Sequence, residues 1–233
     1  LVFLSQVFFD SGFVVRDLPR IVAAIPSNAL VAIDGYHAFF AIPVDLSTIR
    51  DRIFYMGGGY KYLQAGEGAC FMACPAIDLR PTLTGWFSDF GKLSAPQEGG
   101  IGYGEDAMRY WGSTFDASGI YRLNAVMRLY RDLGVDVAAI HLHVKTLQDQ
   151  FLDQLTKLKL RDLPTSALTP ARTLPRGNFC TFELPEAEAV ETRLRHVGVK
   201  VDRRGSRVRF GFGVYHDAND VTELVRRLQG LFS

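Results

Sequence analysis

The stretch LVAIDGYHAFFAIPVDLSTIRDRIFYMGGGYKYLQAGEG, Leu30 to Gly68, decides how this chain is read. It contains two short apolar runs rich in strand formers, Ala29–Ile33 and Arg52–Met56, each bounded by turn residues. The first run ends in Asp34. The second runs into Gly57, Gly58 and Gly59 and then Tyr60 and Lys61. Open α/β sheets bind ligands outside the carboxyl ends of their strands, so this order brings a carboxylate and an amine to one crevice. That pair suits pyridoxal 5'-phosphate (PLP): a lysine amine condenses with the aldehyde, and an aspartate keeps the pyridine nitrogen protonated so that the ring accepts electrons.

Each residue also has a plainer reading. Asp34 can open a turn, as aspartate does after many strands. Lys61 can be a solvated lysine, although GGGYKY is not a phosphate-binding P-loop, because no Gly-Lys-Ser/Thr and no helical pattern follows it. The three glycines are expected to let backbone approach a flat ligand closely. His37 can be a packed histidine, Tyr60 a packed aromatic and Ser5 a small polar residue that closes a strand.

Taken together, Asp34-Gly-Tyr-His37, Ile42-Pro-Val-Asp-Leu46, Gly59-Tyr-Lys-Tyr-Leu63, Gly66-Glu-Gly68 and Gly85-Trp86 resemble, in order and spacing, the class V aminotransferase family of fold-type I PLP enzymes. Tyr60-Lys61-Tyr62-Leu63 with its Gly-rich turn is most similar to the kynureninase branch. The resemblance implies an α/β fold. Part of a large domain built on a mostly parallel sheet (residues 1–135) leads through a linking helix (136–162) into a small α+β C-terminal domain (163–233). It also implies that the chain corresponds to the C-terminal part of such an enzyme, an expectation with which the missing initiator Met agrees.

The same resemblance implies roles. Lys61 and Asp34 are the catalytic pair. Ser5, His37, Tyr60, Trp86 and Thr114 join them around the cofactor, Tyr60 and Trp86 at its phosphate. Thr114, or Ser113 beside it, follows Arg109-Tyr-Trp-Gly112 and would reach a neighbouring subunit's cofactor, which implies a homodimer with a shared active site. Kynureninases carry an asparagine near this point and this chain does not. Arg209, in Val208-Arg-Phe-Gly-Phe212, matches the arginine that holds the substrate α-carboxylate, a role suited to a planar guanidinium. The implied activity is kynureninase-like hydrolysis of a Cβ–Cγ bond in an amino acid. Class V transamination and a non-catalytic remnant of the fold are the alternatives. A cysteine desulfurase would need a cysteine on the loops near Gly198–Tyr215, and there is none.

Composition, with 48% hydrophobic and 22% charged residues, is that of an ordinary globular protein. The 233 residues carry 26 Lys and Arg against 25 Asp and Glu, a net charge of +1 that gives no argument for nucleic acid or an anionic membrane. No apolar run reaches membrane-spanning length and no signal peptide is visible, so a cytoplasmic protein is expected. Three cysteines favour a reducing compartment over a disulfide scaffold. Cys70 and Cys74 do not make a zinc site and are expected to pack in the core. His141 and His143, two apart on a helix, cannot form an i, i+4 metal pair, and no metal site is expected.

The rest of the chain reads simply. Leu1–Gln6 is a strand. Asp10-Ser-Gly12 is a turn, and a short helix begins at Leu18 with Pro19 in its first turn. Ala69–Cys74 is a strand, and Pro75–Gly104 a long loop of the functional kind. Ile120, Leu123, Met127 and Tyr130 mark a helix stopped by Gly134, and Asp136 caps a longer one carrying Val137, Ile140, Val144, Leu147, Phe151, Leu155 and Leu158. After a Pro-rich linker at 163–177 comes a β-α-β-β-α pattern. Arg203, Arg204 and Arg207 read as a solvated hairpin, with Arg207 and Arg209 on one strand face.

Overall fold

The computed structural model describes residues 1–92, 94, 99–100 and 102–232. The first sheet contains β1 (Val2–Ser5), β2 (Val31–Asp34), β3 (Phe54–Gly58) and β4 (Cys70–Ala73), in that spatial order. β1, β2 and β3 are parallel and β4 returns antiparallel along β3. The crossover from β1 to β2 carries α1 (Leu18–Ala24), whose first turn is set by the Asp17 side chain accepting the Arg20 N–H and by Pro19. Leu18 and Val22 from this helix pack with Val31, Ile33, Ile49, Ile53 and Tyr55 beneath the sheet.

β4 is an edge strand, so Cys70 is exposed and Cys74 only half-buried. This corrects the expectation of core packing for these two: an apolar run identifies a strand, but its position in the sheet decides which faces are covered. The helix α2 (Ser118–Asp132) ends as expected at Gly134, which takes the left-handed conformation. Its apolar stripe is not buried within the chain, since Ile120 and Met127 are exposed and Gly119 is its only buried residue. Gly119 is glycine for a reason: a Cβ there would lie 2.6 Å from the Gly68 backbone.

The second unit is organised by α3 (Val137–Leu158). Asp136 caps it by accepting the Ala139 N–H at 2.7 Å. Ile140, Val144, Leu147, Phe151 and Leu155 form the expected buried stripe, joined by Gln148 and Leu152. Four antiparallel strands lie against it in the order β5 (Leu168–Thr169), β6 (Phe179–Glu183), β8 (Arg207–Gly211) and β7 (Asp202–Arg204). The short β5 lies inside what the sequence offers as a linker. Helices α4 (Ala187–His196) and α5 (Ala218–Phe232) complete the core, where Phe151 packs among Phe182, Phe210 and Phe212. Gly198 ends α4 and Gly205 turns the β7–β8 hairpin, both at positive φ.

The two units meet along a polar seam. Gly177 N–H donates to Gly12 O at 2.8 Å, and Gly177 O is itself held within the second unit by the Gln148 side-chain amide. His141 Nδ1 lies 3.2 Å from Ala41 O, and Arg207 pairs with Asp10. Arg203 is bound to Glu191 at 2.8 Å. The hairpin arginines 203 and 207 are therefore ion-paired rather than merely solvated. Among the described residues no helix is long and apolar enough to cross a membrane.

Candidate active site at the seam

A cavity of about 620 Å³ opens where the carboxyl end of the first sheet faces the β7–β8 hairpin. Its wall includes His37 and Lys61 from the first unit and Phe179, Asp202 and Arg209 from the second. Three of the residues singled out in the sequence, His37, Lys61 and Arg209, thus line one space although Lys61 and Arg209 lie far apart in the chain.

Lys61 is half-buried. Burial disfavours its ammonium form, and the Arg209 charge disfavours it further; Asp34 and Glu67 act the other way, more weakly. Its pKa therefore lies below the ordinary lysine value, which raises the share of free amine able to attack an aldehyde. Its Nζ sits 5.1 Å from the Tyr60 ring centroid. Tyr60 in turn packs on Tyr36, with ring centroids 5.8 Å apart. Gly58 makes this packing possible, because a Cβ there would lie 2.8 Å from both the Tyr36 and Tyr60 rings. The same holds for Gly57 against Phe71 and for Gly59 against Leu123. The triple glycine thus makes room for the protein's own side chains, where the sequence led us to expect close approach to a flat ligand.

Asp34 ends β2, directly across from Ser5 at the end of β1. Ser5 Oγ donates to Asp34 Oδ2 and the Tyr36 N–H to Oδ1, both at 3.0 Å. Among the described residues no cationic side chain lies within ion-pair distance of Asp34. Its carboxylate is held in place by these two neutral donors. Asp34 is not part of the cavity wall, yet its charge is felt at both Lys61 and His37.

His37 Nδ1 lies 3.1 Å from the Tyr62 hydroxyl, and its ring meets those of Tyr62 and Phe179 edge-on. Burial, followed by the Lys61 and Arg209 charges, lowers its pKa from 6.5 to about 4. The ring is therefore neutral at pH 7. Between those two values the unfolded chain binds a proton here that the native state does not, so stability rises with pH across the window. The urea midpoint is expected to fall as pH is lowered from 6.5 towards 4, and the fall should be smaller in His37→Gln.

Arg209 has a side chain only 11% exposed. It donates to the Phe9 carbonyl and to Asp202 and lies 5.1 Å from the Phe179 ring centroid. Its Nε is buried without a partner, as is Asn178 Oδ1 in the same cavity wall. These two unpartnered atoms belong to residues of the cavity wall, a feature that singles this region out as a candidate site.

The structure does not bring every expected residue here. Trp86 is 49% exposed in an aromatic cluster with Phe87 and Phe90, and Thr114 is exposed; neither lines the cavity, and Ser5 and Tyr60 are outside its wall too, beside Asp34 and Lys61. The role implied for Thr114 is across a subunit boundary, outside a single chain. The 75–104 loop is anchored by Arg109, which donates to Gly104 O at 2.8 Å and to Asp78 at 3.1 Å. Its residues 93, 95–98 and 101 lie outside the described residues. Sequence reasoning missed Tyr62, Phe179 and Asp202. Tyr62 adjoins Lys61 in the sequence; the other two are placed by strand register.

None of the cysteines takes a place in the cavity. Cys180 is fully buried, which pushes its thiol up to about 12 and makes it inert.

Residues 141–228 match the family model of the kynureninase C-terminal domain. No curated protein matches the chain. Among solved structures it is similar to a cysteine desulfurase from Thermococcus onnurineus NA1, with 18% identity and a TM-score of 0.79 over 99% of this chain and 59% of the other. The cystine C–S lyase C-DES gives 17% identity and a TM-score of 0.81 over 100% of this chain and 61% of the other. A ureidoglycine–glyoxylate aminotransferase from Bacillus subtilis gives 16% and 0.69 over 99% and 59%. This chain spans about three fifths of the length of each of these structures. At these identities the likeness shows the fold, that of the C-terminal part of fold-type I PLP enzymes.

Proposed function

We propose that this chain, which has the fold of the C-terminal part of the class V aminotransferase-type enzymes and matches the kynureninase C-terminal domain over residues 141–228, is the lysine-bearing part of a PLP enzyme acting on an amino acid. The observation that carries this reading is the convergence of Lys61, neutral His37 and Arg209 on one cavity, with the Asp34 carboxylate fixed by Ser5 and the Tyr36 N–H near by.

The residues fit the cofactor. Lys61 offers an amine whose free form is favoured, and Asp34 offers a fixed carboxylate for a protonated ring nitrogen. When bound, PLP supplies a ring that accepts electrons from the substrate Cα. The rest is the work of this chain. Arg209 takes the substrate α-carboxylate, and Lys61, once released, moves protons as general base and acid. His37 stays uncharged and keeps its contact with Tyr62, adding no cation to the ring environment. Tyr60, beside Lys61, is assigned to the cofactor's phosphate side, Ser5 to the support of Asp34, and Thr114 to the cofactor of a second subunit in a homodimer; Trp86, outside the cavity, takes no part in this chain's own site.

For the reaction itself we favour kynureninase-like hydrolysis: water adds to a side-chain ketone, the Cβ–Cγ bond breaks, and alanine and an aromatic acid leave. Transamination stands next to it, because it needs the same lysine and the position after Gly112 holds Ser113 and Thr114 where kynureninases carry asparagine. The deciding experiment supplies the full-length protein with PLP and kynurenine. Hydrolysis releases alanine and anthranilate in equal amounts without a keto-acid acceptor, whereas transamination proceeds only with one. Arg209→Lys keeps the charge but loses the planar fork, and should raise KM for the amino acid by about tenfold or more with a smaller change in kcat.

A further inference from the structure

Asp202 is the one acid among the described residues that line the cavity, and it already sits on the arginine assigned to the substrate carboxylate. The β7–β8 register places the two residues directly opposite each other, so the pairing is set by backbone and not by chance side-chain reach. Arg209 Nη2 donates to Asp202 and Nη1 to the Phe9 carbonyl, while Nε is buried and unpartnered. Each edge of the guanidinium that could grip a carboxylate with two parallel N–H bonds therefore has a nitrogen already engaged. Asp202 is 46% exposed at its side chain, and Arg204 Nε lies 3.4 Å from its Oδ2, the same oxygen that meets Arg209 Nη2. Arg204 is more exposed still, at 58%.

From this arrangement, and resting on the assignment of Arg209 to a carboxylate, we propose that Asp202 is an internal stand-in for the substrate carboxylate: its Oδ2 holds the Arg209 fork in the free protein and yields it to the ligand while keeping the contact that the same oxygen already makes with Arg204. The displaced carboxylate keeps an ion-pair partner, so the exchange is between two paired states and leaves no bare charge. Asp202 acts through Arg209 and is a positioning residue. It keeps the buried guanidinium paired and aimed when no ligand is present, and it lowers the affinity for any monocarboxylate by competing with it.

The test uses the full-length protein and pyruvate as a minimal carboxylate probe, followed by NMR of the arginine Nε–H resonances. Asp202→Asn removes the competing charge at nearly constant shape and should lower the pyruvate Kd by about fivefold, the upper range for a partly exposed ion pair. Asp202→Ser is the second variant and should shift in the same direction. In the PLP-loaded protein, KM for the amino acid should fall by a similar factor with kcat little changed, a split that a merely structural role would not give. Arg209→Ala separates the two levels of the argument. If it weakens pyruvate binding while Asp202→Asn leaves Kd unchanged or raises it, the stand-in role is overturned and the carboxylate site survives. If Arg209→Ala leaves pyruvate binding intact, the carboxylate site fails and takes the stand-in role with it.

Discussion

Lys61→Ala should remove the visible absorbance that PLP gives when bound to this protein and lower turnover by about 10³–10⁴-fold or more, the scale of losing a positioned group that transfers protons. The reason lies in the geometry. Lys61 shares the cavity wall with Lys200, but Lys200 is exposed and sits on the opposite unit next to the hairpin, so it cannot substitute from the end of the first sheet. Lys61→Arg should be nearly as damaging, because a guanidinium remains protonated and cannot attack an aldehyde. Folding should be largely untouched: Lys61 has no ion pair among the described residues, and its charged form is already disfavoured by burial and by Arg209. Absorbance titration with PLP alongside a urea melt separates the two effects. An unchanged melt with no visible band is the expected pair of results.

The second large effect is on stability. Phe151 is completely buried in α3 and meets Phe182, Phe210 and Phe212 at centroid distances of 6.3, 5.3 and 5.5 Å. These four rings join α3 to β6, β8 and the segment after β8, so truncation leaves a cavity that backbone hydrogen bonding prevents from closing. Phe151→Ala should cost about 3–5 kcal/mol, the usual range for a large core aromatic. For a protein of this size that corresponds to a drop in Tm of roughly 10 °C. Because β8 carries Arg209, carboxylate binding should weaken in the same variant, whereas Phe151→Leu should recover most of both.

Much of the fold was legible because strong local signals agreed with one another. The apolar run before Asp34, the run before the glycines and five of the seven stripe positions of α3 fold as their periods dictate, and Asp136 caps where a capping residue was expected. Lys61 and Arg209 were legible as partners only through resemblance, since no local pattern connects residues so far apart in sequence. What escaped has a common cause. Periodicity says which face of an element is apolar and not what covers it, so Ile120, Met127, Cys70 and Cys74 look like core residues and are not. Asp202 escaped because its role depends on register. The pairing of Arg204 with Arg207 closes a tight turn at Gly205, and counting outward from it places Arg203 on Val208 and Asp202 on Arg209. That count could have been made from the sequence once the turn was recognised.

The most direct test of the central claim is to add PLP to the full-length protein, record the visible spectrum, reduce with borohydride and map the modified peptide by mass. A visible band that disappears on reduction, with the pyridoxyl group fixed on Lys61, is the predicted result. Protein of confirmed full length that shows no band, or that carries the label on a lysine other than Lys61, would contradict the account and leave a PLP-enzyme fold without its chemistry.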